Sequence, residues 1–361
     1  AMGELLGIAE SERIFFTSGA TESLNTILCG LDYGKAGNSI LVTQTEHNSV
    51  LRPLMNQSAL KEHPVKIISC TAIGAVTEEL LEQALEEERQ DGRQAAALVV
   101  NHCSNVTGYV QDMDMISFAK KNNLCLIVDV SQSAGCIPVY ADQWKADAVI
   151  FTGHKSLMGM QGSGGFYIRE GISLKPLKYG GTGRNSKQLT YEDEDYEYEV
   201  GTQNLPGITA LLAGVNFVRE TGVDMIHKKE MALMEKLYEA LEKIPGIQVY
   251  GNSKECRGPV MSLNFKGLTA SDAAYIRNDP HKHILLYKRE GHTGISYSGR
   301  ADCRLCGRTM NRGKVYEDYR KAAFKREMCR IRLVCNRLSY GCADRQRIYF
   351  KAEITWRFCI S

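Results

Sequence analysis

The stretch Ala148-Val149-Ile150-Phe151-Thr152-Gly153-His154-Lys155 decides the fold. Its first four residues form a continuous apolar run, as expected of a strand buried on both faces, and the run ends abruptly on polar residues. Two further stretches repeat the pattern. Ala95 to Val100 is apolar throughout, and Leu124 to Val130 is apolar except for the acid Asp129 near its end. Shorter strands are predicted at Ile14–Thr17, Ser39–Thr43 and Val65–Ser69. Helical patterns alternate with them, such as the acidic helix running from Thr77, a capping residue, to about Glu88. Alternation of this kind over residues 1–210 predicts an α/β domain built on a mainly parallel sheet covered by helices.

In open α/β sheets ligands bind at the carboxyl edge, and here the strand ends deliver polar residues to that edge. Ser18-Gly19-Ala20 is a turn that opens a helix at Thr21, and His47 follows the strand at Ser39–Thr43, just before a helix from about Asn48. Gln161 to Ile168 reads as a glycine turn entering one more strand, and Tyr191–Glu199 as an acidic surface loop. A helix over Ile208 to about Lys243 is interrupted by Gly222 and ended by Pro245-Gly246. Ile247–Tyr250 and Val260–Phe265 then begin a smaller β region, and residues 211–280 are expected to start a small α+β domain.

Composition narrows the field. Of 361 residues, 43% are hydrophobic and 24% charged, enough to bury a core and too apolar for a disordered chain. No apolar run reaches the ~20 residues that span a bilayer, and the first residues lack a secretory pattern. The twelve cysteines are scattered, which favours a reduced, cytoplasmic setting. A formal charge of +2 and the lack of any recognised module give no sign of a nucleic-acid partner. Gly159 to Gly165 is no P-loop, because no Gly-Lys-Ser/Thr follows. Asn105-Val106-Thr107 matches a glycosylation sequon, but a structural turn is the better reading, and His102 and Cys103 read as packing residues.

Asp129, Gln132, His154 and Lys155 suit one kind of chemistry together. A lysine beside a strand end, near a phosphate-binding turn and a buried acid, fits a Schiff base with pyridoxal phosphate. The acid would keep the pyridine nitrogen protonated. The helix opening at Ser18-Gly19-Ala20-Thr21 would supply N–H and hydroxyl donors to the phosphate, and His47 an aromatic face for the ring.

Seven segments in order carry a resemblance. They are Thr17–Asn25, Thr45–Ser49, Ser104–Gly108, Val128–Ser133, Thr152–Lys155, Gly180–Gly183 and Glu199–Ile208. Together, over about residues 4–275, they closely resemble the cysteine desulfurase family, the class V aminotransferase branch of fold-type I pyridoxal-phosphate enzymes. The resemblance implies conversion of L-cysteine, or a similar amino acid, to L-alanine, with sulfur passed as a persulfide. It implies that Lys155 carries the Schiff base and moves the Cα proton. Asp129 pairs with the ring nitrogen, Gln132 donates to the phenolic oxygen, and His47 stacks on the ring and assists proton transfer. Ala20, Thr21, Thr152 and His154 hold the phosphate, and Asn105 contacts the substrate carboxylate or the phenolate side. Thr182 reaches the phosphate of the neighbouring subunit, which implies a homodimer, and a sulfur-acceptor protein is the expected further partner. A selenocysteine lyase or related lyase would use the same machinery, and a catalytically inactive remnant would keep only the fold.

Two departures stand against the family pattern. The family's N-terminal segment is expected to be missing ahead of residue 1. From His281 onward, 19 lysines and arginines face 7 acids, so residues 281–361 carry +12 and residues 1–280 carry −10; six cysteines fall in the same stretch. Arg289-Glu290-Gly291-His292-Thr293-Gly294 begins like the family's catalytic-cysteine motif and then lacks the cysteine. Cys303 and Cys306 are candidate thiols, and Arg330 or Arg332 a candidate carboxylate clamp. A zinc site at Cys303-x-x-Cys306 lacks a matching second pair, so no metal is expected. The abrupt change fits best a shifted reading frame or sequence error near residues 278–295.

Overall fold

The computed structural model describes residues 1–181, 187, 198–250 and 257–267, with the backbone of 301–302 and 309–310. In chain order the main elements are α1 (Met2–Leu6), β1 (Ile14–Thr17), α2 (Ala20–Gly30), β2 (Ser39–Thr43), α3 (Asn48–Asn56), β3 (Val65–Ile68), α4 (Glu78–Gln90), β4 (Ala95–Asn101), α5 (Met115–Lys121), β5 (Cys125–Asp129), β6 (Ala148–Thr152), β7 (Gly164–Ile168), α6 (Leu205–Thr221), α7 (Val223–Glu242), β8 (Ile247–Tyr250) and β9 (Ser262–Phe265).

Seven strands form one sheet in the order β1-β7-β6-β5-β4-β2-β3. The pairs from β3 through β6 are parallel. β7 runs against both β6 and β1, because the segment joining β6 to β7 holds no crossover helix. Two reversals restore direction, so β1 ends at the same edge as β6: Thr17 and Thr152 both pair with Gly164.

The apolar runs follow from packing on both faces. Strand side chains alternate sides, and here Leu98, Val100, Leu126, Val128, Val149 and Phe151 enter one core, with Leu81, Phe118, Leu211 and Val215. Ala97, Val99, Ile127, Ala148 and Ile150 enter the other, under Leu24, Ile27 and Leu28 of α2 and Val50 and Leu54 of α3. A strand with neither face wet has no reason for polar alternation.

The first compact unit comprises Ala1–Met231 and Lys254–Val260. The sequence reading placed the division near residue 210. Leu211, Val215, Val218 and Ile226 are buried in the cores of this unit. Gly222, at φ +85°, separates α6 from α7 where the sequence placed the break. The second unit contains the rest of α7 and an antiparallel ladder of β8 with β9, Ile247 facing Phe265. The regions read as a basic tail and as an acidic loop lie almost wholly outside the described residues, as do Thr182, Cys303, Cys306, Arg330 and Arg332.

Candidate active site

Three strand ends converge on Gly164. From β1 the chain turns through Ser18 into α2, whose N-cap is Gly19, at φ +151°. The turn is pinned from within. Thr17 Oγ1 accepts the Gly19 N–H at 3.3 Å and lies 2.8 Å from Ser23 Oγ. Glu22 folds back to accept from the Ser18 N–H (2.9 Å) and from Ser18 Oγ. Burial pushes the Glu22 carboxyl up, but its ion pair with Lys178 and the two Ser18 donors outweigh this and leave it below the usual range. The first-turn N–H groups, Ala20 and Thr21 among them, have no partner within the helix and project from its positive end.

At the end of β6, Thr152 is buried and its Oγ1 lies 3.0 Å from His154 Nδ1. A Cβ built on Gly19 would stand 3.7 Å from that same Oγ1. Thr152 therefore faces the N-terminus of α2. After it the chain closes a tight loop: Gly159 N–H donates to Gly153 O at 2.7 Å, and Met158 N–H to Lys155 O at 2.9 Å. Lys155 sits half-buried in this loop, and its positive charge acts on the thiol of Cys103. Burial nevertheless pushes that thiol up to about 12.

Asp129 ends β5 in register with Asn101 of β4. It is buried, and its Oδ1 accepts the Ser131 N–H at 2.8 Å. Gln132, half-buried, follows one residue later; its carbonyl accepts from the Cys136 thiol at 3.2 Å. Asn105 is buried in a turn built on Ser104, whose Oγ accepts the Val106 and Thr107 N–H groups, each at 3.1 Å. His47 is the N-cap of α3. Its Nδ1 accepts the Ser49 N–H at 3.1 Å, so the neutral ring carries its proton on Nε2.

The structure thus gathers the sequence-derived residues Ala20, Thr21, His47, Asn105, Asp129, Gln132, Thr152, His154 and Lys155 along one edge of one sheet. Thr21 and His47 also line a cleft of about 460 Å³ with Asn25, Asn48, Arg52 and Gln57. Asp129 and Lys155 are not on that cleft's lining. Two features escaped sequence reasoning. Glu46 is buried beside Asp129, and burial pushes its carboxyl up to about 8. Glu230 of α7 approaches the Cys136 thiol and is pushed up by burial to about 7. The one signal for Glu46 was its place between Thr45 and His47 in a segment already singled out.

Residues 1–292 match the family model described as Aminotransferase class-V. The chain belongs to that family. Members are in general pyridoxal-phosphate enzymes, and the α/β architecture here is the fold-type I arrangement. This class-V chain is 29% identical to a protein of Methanothermobacter thermautotrophicus named "Probable cysteine desulfurase", over 84% of this chain and 79% of that one. A protein of the same name from Pyrococcus abyssi is 31% identical, over 79% of this chain and 70% of the other. The solved cysteine desulfurase from Thermococcus onnurineus NA1 matches with a TM-score of 0.68 at 29% identity, covering 76% of this chain and 68% of its own. The family match stops at 292, inside the region where the composition changes.

Proposed function

We propose that this class-V chain is a pyridoxal-phosphate-dependent cysteine desulfurase that takes L-cysteine to L-alanine and leaves the sulfur on a thiol as a persulfide. One observation carries the reading: a helix N-terminus, a buried carboxylate and a lysine are delivered to the same sheet edge by β1, β5 and β6.

The donor set fits such a cofactor. An anionic phosphate suits the N–H groups of Ala20 and Thr21, the Thr21 hydroxyl, and the Thr152–His154 pair facing that helix end. A cationic ring nitrogen suits Asp129, whose Ser131 contact holds the carboxylate in place. Gln132 would donate to the ring's phenolic oxygen and His47 would cover its face. When bound, the cofactor draws electrons away from the substrate Cα through its cationic ring.

The chain's own groups supply the rest. The Lys155 amine anchors the cofactor and then moves the proton at the substrate Cα. Asn105 holds the substrate carboxylate, or the phenolate side of the ring, from its fixed turn. His47, oriented by the Ser49 N–H donated to its Nδ1, would assist proton transfer over the site. The overall change balances as cysteine plus a protein thiol giving alanine plus a protein persulfide. The thiol needs a depressed pKa, which neither Cys103 nor Cys136 has: burial raises both. Cys303 and Cys306 remain the candidates, with Arg330 or Arg332 as clamp.

A homodimer completed by Thr182, a sulfur-acceptor protein and a cytoplasmic location belong to this proposal. Among the described residues no helix is long and apolar enough to cross a membrane, and Cys29, Cys70, Cys103, Cys125 and Cys136 are all free thiols. The test is alanine formation from L-cysteine by the full chain with added cofactor, in wild type and in Cys303→Ala and Cys306→Ala. With excess dithiothreitol present to reduce the persulfide, alanine and sulfide in equal amounts, lost in one cysteine variant, is the expected result. Bound cofactor without alanine would overturn the activity and leave a cofactor-binding remnant.

A further inference from the structure

Glu46 closes the end of β2 beside two residues of the proposed site, and nothing in the chemistry above uses it. Its residue is 7% exposed. Oε1 accepts from Thr43 Oγ1 at 2.6 Å and from the Asn101 N–H at 2.7 Å. Oε2 is buried with no hydrogen-bond partner among the described residues. Thr45 and Asn101 seal the surroundings: Thr45 Oγ1 donates to Asn101 Oδ1 at 3.1 Å, and Asn101 Nδ2 donates back to Thr45 O. The groups facing Glu46 are therefore Thr43 and Thr45 from β2 and its turn, and Asn101 from β4. The charge acting on it is that of Asp129 on β5, and His47 is next in the chain.

Among the described residues no cation is paired with Glu46, and its carboxylate ion would have one oxygen without a donor and the Asp129 charge acting on it. Each of these disfavours the charged form. Binding a proton on Oε2 removes the need for a counter-cation and the repulsion from Asp129, and leaves Oε1 as the acceptor it already is. We infer that Glu46 is a positioning residue held as a neutral acid, so that Asp129 is the single carboxylate charge this part of the sheet edge offers a ring nitrogen. Burial, with the Asp129 charge adding and the Thr43 and Asn101 donors opposing, pushes the Glu46 carboxyl up to about 8. Ionisation above that pH would place a second negative charge behind Asp129. The part played by Asp129 rests on the cofactor reading; the bound proton does not.

Two measurements on the full chain separate these. The first is urea unfolding of the cofactor-free chain from pH 5 to pH 9, wild type against Glu46→Gln. A proton held when folded and released when unfolded makes wild-type stability fall as pH rises from the ordinary carboxyl value towards about 8. The stability of Glu46→Gln relative to wild type should rise across that window and level off above it. Parallel midpoints over the whole range would overturn the inference. The second is pH titration of the visible band of the cofactor-loaded chain. Wild type should show an alkaline inflection near the Glu46 value that Glu46→Gln lacks. Identical titrations would overturn the link to Asp129, and absence of any band would overturn the cofactor reading while leaving the proton in place. Should Glu46→Gln fail to fold, wild-type infrared spectra decide. A protonated-carboxyl stretch that persists above the Glu230 value of about 7 and disappears near 8 supports the inference, and its absence at pH 7.5 overturns it.

Discussion

A Cβ on Gly164 would stand 2.6 Å from the Cα of Gly19. That approach lets the first residues of α2 lie directly over the ends of β7 and β6, against Thr152. It is backbone against backbone, so no side-chain rotation can relieve a clash.

Gly164→Ala should therefore push the Gly19 turn away from the sheet. Overpacking of a close-packed site costs typically 1–3 kcal/mol, and the displaced N–H groups should weaken phosphate binding as well. Urea unfolding and cofactor titration check the two effects. Unchanged affinity in a folded variant would show that the N-terminus of α2 is not the phosphate cradle.

Asp147 tests the scaffold away from this edge. It precedes β6, is almost fully buried, and accepts from the Leu126 N–H at 2.7 Å, from Lys120 at 3.1 Å and from Arg169. Asp147→Ala strands the Leu126 N–H, while Lys120 and Arg169, both partly exposed, regain water. A loss of about 2–3 kcal/mol is expected, below the range for fully buried pairs. The visible band of the loaded, folded variant should be unaltered, because Asp147 lies at the opposite end of β6 from Thr152.

His102 gives a pH dependence of the opposite sign to that of Glu46. It is buried against Trp144, ring centroids 4.7 Å apart, and burial pushes its imidazole down from 6.5 to about 4. The unfolded chain binds a proton that the folded chain refuses, so stability is lost as pH falls from about 6.5 towards 4. His102→Phe should lose less stability over that interval in acid urea titrations. Equal acid slopes would mean the native imidazole is already charged.

Cys103 and Cys136 should resist alkylation in the native chain, since the thiolate is the reactive form and burial raises both thiols. Mass spectrometry after iodoacetamide treatment, with and without urea, checks this. Rapid native labelling at either position would make it a candidate for the sulfur-accepting thiol.

What the sequence made legible follows the same physics. β4, β5 and β6 could be read because both faces are dry, which makes them uniformly apolar. The sequence reading gave a helix preceding Thr17 no bounds and did not single out α5, because five and seven residues are too few to express a helical period. They are held instead by tertiary burial of Leu6 and Phe118. Site residues at strand ends stood out as polar interruptions of apolar runs. Glu46 did not, because its burial and the neighbouring Asp129 charge come from strands remote in sequence that join it only through the order β5-β4-β2. The antiparallel β7 was likewise invisible to residue patterns, which report burial and not strand direction.

The central claim is that the Lys155 amine is the covalent anchor of the cofactor. Borohydride reduction of the loaded full chain, followed by peptide mass spectrometry, tests it directly. A reduced pyridoxyl adduct on Lys155, absent from Lys155→Ala, is the expected result. An adduct confined to other lysines, or none from a chain that keeps its cofactor, would contradict it.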